Sequence, residues 1–534
     1  MMYLFSSTEK KRSYLTYESM VRRSLSLRLL FFFCARTIFP AKKRRGLGGA
    51  VSKPCDKINK MMSPFNTLIA LSLLFIAFEA SSASPSTLQD LHDYDLVVPS
   101  TSANAKRNLI ENGHLTRGER QHLRQLSIAF ETKSRGEIHL DVERADDILA
   151  PRYTHLAIGN GEKKTVHGKR DDVEMCYYRG KVRGFENASI VALNTCGHGI
   201  DAFVKIEGNT YAIAPASLYG IPDRRRRDQE SLDVAPHIFF DVKERRNMPL
   251  LKCGVADASD DEKRLLGHSP ELHLGASKEH RSLGTKARVV ELLMVSSSNQ
   301  FNSACEASRR VGGQGGSCNP IEETQSRAIQ IAVAVKEIYE TLDLGITIVL
   351  VAHTYFESEN AEKDANTYVS ASGDIGTLLN KFTSWHRKNN NGILLSDNAQ
   401  LIDNTDRNGG TAGLAWKGTM CTSSSSGVNE DKGLYQYTVE TVAHEMGHNF
   451  GMHHDGDAKD NNNCNSKNFI MASSSVVAPF FSRSYRTFSS CSKSEVTALL
   501  QRLESGTSCL ANDPHREPLG GPVCGDGILS PVEE

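Results

Sequence analysis

Residues 442–455 read VAHEMGHNFGMHHD, and the stretch from His444 to His454 holds four histidines in eleven residues. The spacing predicts a helix from Val439 to Phe450. Val439, Val442, Ala443, Met446 and Phe450 then share one apolar face. His444 and His448, four apart, fall together on the other. Two imidazoles on adjacent turns reach one Zn²⁺, which is the physical content of H-E-x-x-H. Glu445 lies beside them, within reach of a water at the metal without being a ligand. Gly451 permits the left-handed turn that reverses a chain after a helix. That turn can return a third imidazole to the same ion. His454 completes H-E-x-x-H-x-x-G-x-x-H, while His453 is one residue out of step and is expected to face solvent. Met471, in NFIMAS, lies where a thioether could support the three rings.

With these residues the sequence resembles the metzincin metalloproteases. Asp455, directly after His454, narrows the resemblance to the adamalysin (reprolysin) branch, which includes the ADAM proteases and the snake-venom metalloproteases. The resemblance implies that His444, His448 and His454 bind zinc, that Glu445 is the general base and that Met471 is the Met-turn residue. The thrombospondin-repeat (ADAMTS) relatives usually carry Pro where His453 stands, so the ADAM side fits better.

The rest of the chain bounds this reading. Its 534 residues suffice for two or three domains. Lys plus Arg and Asp plus Glu number 63 each, which gives no reason to expect a nucleic-acid partner. No apolar run reaches the roughly 18 residues of a membrane-spanning helix. The longest, Leu68–Phe78, follows Lys60-Met61-Met62 and precedes EASSAS, the layout of a secretory signal peptide over 61–83, cut near Ala83. The 60 residues before it are basic, with KKRR at 42–45. They are expected to be an artefact of the start assignment, Met61 or Met62 being the true start.

From Ser84 to about Asp257 the chain reads as β-rich, alternating apolar and polar residues with Gly punctuation. This block resembles the ADAM prodomain, a chaperone and inhibitor. Asn187-Ala188-Ser189 is a glycosylation sequon that suits a lumenal route. PLLKCGVAD resembles the cysteine switch, which implies that Cys253 is a zinc ligand in the latent form. A new domain opens at Arg288 with VVELLMVSSS, a buried strand. A helix over Glu322–Leu342, a break at Gly345, the strand ITIVLVAHTYF and an amphipathic helix on Ile375, Leu378, Leu379, Phe382 and Trp385 follow. Strands alternating with helices predict an α/β domain with a mostly parallel sheet. The stretch Gly409–Cys421 matches the family's edge strand above the cleft. The expected domains are prodomain 84–287, metalloprotease domain 288–514 of metzincin fold, and, at 515–534, the first line of a disintegrin domain, so the chain is expected to be a fragment or truncated product.

There are twelve cysteines. Cys176 and Cys196 flank the β-rich block and are expected to pair. Cys305 and Cys318 would close a local loop, and the family pattern joins Cys421 to Cys509 and Cys464 to Cys491. With Cys34 and Cys55 set aside in the N-terminal extension, Cys253 and Cys524 are then left single. By the same resemblance Glu291, Asp397, Asn512 and the carbonyl of Cys509 match a structural Ca²⁺ site.

The function that follows is a latent zinc endopeptidase of secreted or cell-surface proteins. Maturation by a proprotein convertase at the run Asp223–Arg227 is expected, then a second cut at Lys263-Arg264, Arg281 or Arg288. Integrins or other surface proteins are the expected partners of further C-terminal domains. The competing reading is an ADAM-like adhesion protein with a vestigial protease domain. Such relatives typically lose the Glu or a His of the motif, and this chain keeps all four. A venom-type or ADAMTS-like secreted protease is a further alternative.

Overall fold

The computed structural model describes residues 91–102, 121–196, 199–219, 221, 235–242, 251–256, 287–305, 318–407, 411–431, 433, 435–456, 464, 469–475, 487–504 and 509–511. All belong to one of two compact units, Ala83–Glu534. The basic extension, the signal peptide, the arginine run, Lys263-Arg264, Arg281, Asn512 and Cys524 lie outside the described residues.

The described strands are β1 (Asp95–Val97), β2 (Ser100–Thr101), β3 (Gln125–Thr132), β4 (Gly136–Arg144), β5 (Leu149–Ile158), β6 (Lys164–Lys169), β7 (Tyr177–Val182), β8 (Ser189–Asn194), β9 (Asp201–Ile206), β10 (Asn209–Pro215), β11 (His237–Asp241), β12 (Leu251–Ala256), β13 (Arg288–Ser296), β14 (Ile346–Phe356), β15 (Asn398–Asp403), β16 (Thr411–Trp416), β17 (Ser426–Glu430) and β18 (Ser474–Ser475). The α-helices are α1 (Ser298–Ser303), α2 (Pro320–Glu340), α3 (Glu359–Asp364), α4 (Ile375–Asn389), α5 (Tyr435–Asn449) and α6 (Ser490–Glu504).

Helix ends follow local chemistry. Asn319 caps α2 by accepting from the Ile321 N–H, with Pro320 at the first position and Glu322 and Glu323 in the first turn. Gly345, at φ 69°, turns the chain from α2 into β14. Asp374 caps α4 through the Thr377 N–H at 2.9 Å.

One sheet is wholly antiparallel, in the order β1-β11-β10-β9-β8-β7-β4-β3-β2. Its middle strands do not alternate between core and solvent, as the sequence pattern suggested. On β8, Val191 and Leu193 pack into the sheet's own core, while Ile190 and Ala192 join Ile329 of α2 and Val439 of α5. Helices cover the second face, so both faces are apolar.

The other sheet has the order β18-β12-β16-β17-β15-β13-β14-β5-β6. It is mixed. The run from β17 through β15, β13 and β14 to β5 is parallel, as is β12 on β16, whereas β16/β17, β12/β18 and β5/β6 are antiparallel. A boundary near residue 287 leads one to expect two separate sheets. Instead β5 and β6 extend this sheet beyond β14, and β12 lies on β16, so β16 is not an edge here. An exposed sheet edge is a row of unmade hydrogen bonds, and the N-terminal strands satisfy both. Arg288 opens β13, buried, with its guanidinium on Glu504 and on the Leu344 carbonyl. A protease cannot reach the Arg288 bond in this fold, which removes it from the candidate activation sites.

Candidate active site

Helix α5 carries His444, Glu445 and His448 and is buried all round. Val439, Val442, Ala443, Met446 and Phe450 are fully buried on its core face. The helix ends in a Schellman motif. The Met452 N–H donates to the Gly447 carbonyl and the Gly451 N–H to the His448 carbonyl, with Gly451 at φ 88°. This reversal brings His454 back beside the helix. Its Nε2 lies 3.2 Å from Nε2 of both His444 and His448.

The rings are oriented from behind. His444 Nδ1–H donates to the Ile470 carbonyl at 2.6 Å, and His448 Nδ1–H to the Met452 carbonyl at 2.8 Å. These contacts place the protons on Nδ1 and turn bare Nε2 lone pairs inward. Burial, first, and the neighbouring imidazoles push His444 down to about 3 and His448 well below its ordinary value, so both are neutral at pH 7. Bare nitrogens at 3.2 Å repel unless a cation lies among them. Tetrahedral Zn²⁺ with Zn–N near 2.0–2.1 Å would set its nitrogens about 3.3 Å apart. The donor set therefore fits zinc in number, protonation and spacing.

Glu445 is fully buried next to these rings. A Cβ added at Gly413 of β16 would sit 2.4 Å from Glu445 Oε1. Glycine at 413 thus lets the carboxylate lie directly against the strand's backbone. Met471 is fully buried under the helix, and a Cβ at Gly447 would stand 2.6 Å from its sulfur. The Asp455 N–H donates to the Met471 carbonyl, and Asp455 Oδ1 accepts from Ser489 Oγ at 2.6 Å, tying the third-histidine turn to the Met471 turn and to α6.

Residues 316–514 match the model of the Reprolysin (M12B) family zinc metalloprotease. The chain belongs to the reprolysin metalloproteases. It is 28% identical to human disintegrin and metalloproteinase domain-containing protein 9 over 81% of this chain and 48% of that protein. It is 30% identical to human disintegrin and metalloproteinase domain-containing protein 19, over 74% of this chain and 37% of that protein. It is 25% identical to the zinc metalloproteinase-disintegrin-like atrase-A of Naja atra, over 83% of this chain and 65% of that protein. The chain thus spans half or less of the two human relatives' length.

Other predicted site residues fall as follows in this reprolysin. His453 does not simply face solvent: its Nδ1 and backbone N–H both meet the Glu495 carboxylate of α6, at 3.0 Å each. That anchor turns it away from the other three rings. The disulfides present are Cys176–Cys196, Cys305–Cys318, Cys421–Cys509 and Cys464–Cys491. Asn187 is exposed on the turn before β8. Cys253 lies on β12, opposite Gly413 in the ladder. Asp397 accepts from the Glu291 N–H at 2.9 Å and neighbours Cys509, while the Glu291 carboxylate is ion-paired with Arg152 of β5 at 2.9 Å. Burial, chiefly, pushes Asp397 up to about 7.

Sequence reasoning missed Asn449. Its amide donates to the carbonyls of Trp416 and Ser426, and its oxygen accepts from Asn398 and Gln400. Asn449 directly precedes the apolar Phe450 at the end of a buried helix, but no pattern in the sequence marks it out. This network fixes α5 to β15, β16 and β17, and so sets the helix relative to Gly413.

Proposed function

We propose that the chain is a zinc-dependent endopeptidase held latent by its N-terminal region and directed at secreted or cell-surface proteins. The observation that carries the reading is the convergence of three Nε2 atoms beside a buried carboxylate, next to a strand that pairs with extended chains. Zinc, when bound, supplies Lewis acidity and lowers the pKa of water. His444, His448 and His454 would hold it. Glu445 takes the proton of the attacking water and returns it to the leaving amine. Backbone groups of β16 hold an extended substrate by strand addition, and Gly413 brings that strand against Glu445.

The same strand supports the latency reading. β12 already pairs with β16 and carries Cys253 at the position of Gly413, so the N-terminal segment stands where a substrate would lie. A thiolate from Cys253 would take the open zinc position. A signal peptide at 61–83 and glycosylation at the exposed Asn187 suit secretory export. The convertase cut after Arg227 leaves Cys253 attached, so activation needs a second cut, for which Lys263-Arg264 and Arg281 remain. Calcium would be held by Asp397 and Glu291 with Asn512. Further domains would engage integrins or other surface proteins.

The test is to cut the purified chain between 264 and 281, remove the N-terminal fragment, load zinc and supply denatured protein. Cleavage that stops with a zinc chelator and returns with zinc is expected. A zinc-loaded, processed chain that cleaves no protein overturns the reading.

A further inference from the structure

The seam between β5 and β14 carries a buried histidine pair with no part in zinc binding. His155 and His353 are direct partners in the parallel ladder. Their rings stack with centroids 4.9 Å apart and 16° between planes, and the two Nδ1 atoms lie 3.0 Å apart. One Nδ1–H donates to the other Nδ1, so the contact holds a single proton. His353 Nε2 meets Ser296 Oγ of β13 at 3.0 Å. His155 is 2% exposed and His353 0%.

We propose that this pair is an acid-sensitive latch: it holds β5, and with it the N-terminal region, on the catalytic sheet at neutral pH and releases it on acidification. The proposal rests on the latency reading above. A second proton would break the Nδ1–H···Nδ1 bond and leave two like charges stacked in a buried seam. The rings' aromatic and hydroxyl neighbours carry no negative charge to set against it. From β14 the pair faces the phenol of Tyr355, which is stacked on Phe301 of α1. From β6 it faces the imidazole of the exposed His167, and from β13 a neutral hydroxyl. Burial and His155 both disfavour charge on His353. Glu357, just past β14, acts on Tyr355, and Lys169 of β6 lies opposite Thr154. Asp147, just before β5, is opposed by burial but held below its ordinary range by Lys336 and Arg179, and stays charged throughout. Glu362 of α3, pushed up to about 7 by burial, gains its proton in the closed state and so works in the opposite direction.

The sign follows from linkage. The closed pair excludes further protons, whereas the open strand exposes imidazoles near 6.5. Opening is therefore favoured as pH falls below about 6.5. Each imidazole freed raises the opening constant about tenfold at pH 5.5, and the two together about a hundredfold.

The experiment is hydrogen–deuterium exchange on the full chain at pH 7.5 and 5.5, expressed as protection factors. The β13/β15 ladder serves as internal reference. Protection of 149–158 is expected to fall by ten- to a hundredfold more than the reference in the wild type. His155→Gln should reduce the acid effect to about tenfold or less, and His155→Gln with His353→Gln should abolish it. Equal acid sensitivity of β5 and the reference in the wild type overturns the latch, whether or not the variants fold. So does an undiminished effect in a folded double variant. The readout uses no peptidase activity, so a chain that fails as a protease can still pass, and the two readings fail separately.

Discussion

Two of the clusters that metal chemistry would claim differ in what already occupies their lone pairs. At His444, His448 and His454, two rings have their outer nitrogens committed to carbonyls and all three turn inner nitrogens to a common point. At Glu291 and Asp397 the partners are already supplied from within. Arg152 neutralises Glu291, and the Glu291 N–H donates to Asp397. The first cluster is complete only with a cation. The second is closed by an arginine from the N-terminal region, so a cation there must displace that arginine or wait for it to leave. Preorganisation toward a metal is thus a matter of where the donor atoms are turned, not of how many ligand-type residues are close together.

The largest predicted effects test the first cluster. His454→Ala should lose both zinc and peptidase activity, whereas His453→Ala, which loses only the Glu495 contact, should keep zinc. Metal analysis and peptide assay of the processed variants check this, and equal zinc loss would reassign the third ligand. Glu445→Ala should retain zinc and lose about 10²–10⁴-fold in kcat; activity within a few-fold of wild type sinks the base assignment. Gly413→Ala, which places a carbon against Glu445, should lower kcat/KM about tenfold or more with zinc content unchanged. The smaller effects test the second cluster. Arg152→Ala in the full chain should tighten Ca²⁺ binding about tenfold by calorimetry, since removing a paired cation leaves Glu291 available. No change would show that Arg152 does not gate the carboxylates. Asp397→Asn should raise stability at pH 8 without calcium by on the order of 4 kcal/mol. The wild-type carboxyl titrates near 7 folded and near 3.9 unfolded. Its folded form therefore holds the extra proton between about pH 4 and 7, and stability falls as pH rises through that window. The advantage of Asn should vanish below about pH 4 in thermal melts.

What the sequence made legible was local. His444, Glu445 and His448 are set by helical spacing, and His454 by one glycine turn, so eleven residues specify most of the centre. The strand ITIVLVAHTYF and helix α4 were readable because their burial is periodic or continuous. Gly413 against Glu445 and Arg152 against Glu291 were not, because each contact joins residues far apart in the chain with no shared pattern. The place of Leu251–Ala256 in the catalytic sheet was hidden for a related reason. The segment falls within the β-rich reading, but its hydrogen bonds are supplied by β16 and β18, more than 150 residues further along the chain. His453 shows the opposite error. An out-of-register residue was assigned to solvent, when a carboxylate from α6 held it.

The insertion of β5 beside β14 also bears on how the molecule is made. His155 and His353 are 198 residues apart, so the seam between them is among the late and entropically costly closures of the chain. The N-terminal strands precede β14 in the chain, so β5 is made before the strand it pairs with. Were they excised, the remaining sheet would lose that pairing, and its persistence would rest on the height of the unfolding barrier. The excised catalytic part is therefore expected to regain structure more slowly after denaturation than the full chain under the same oxidising conditions, as stopped-flow fluorescence would record. Maturation would then be one-way in conformation as well as in covalent structure.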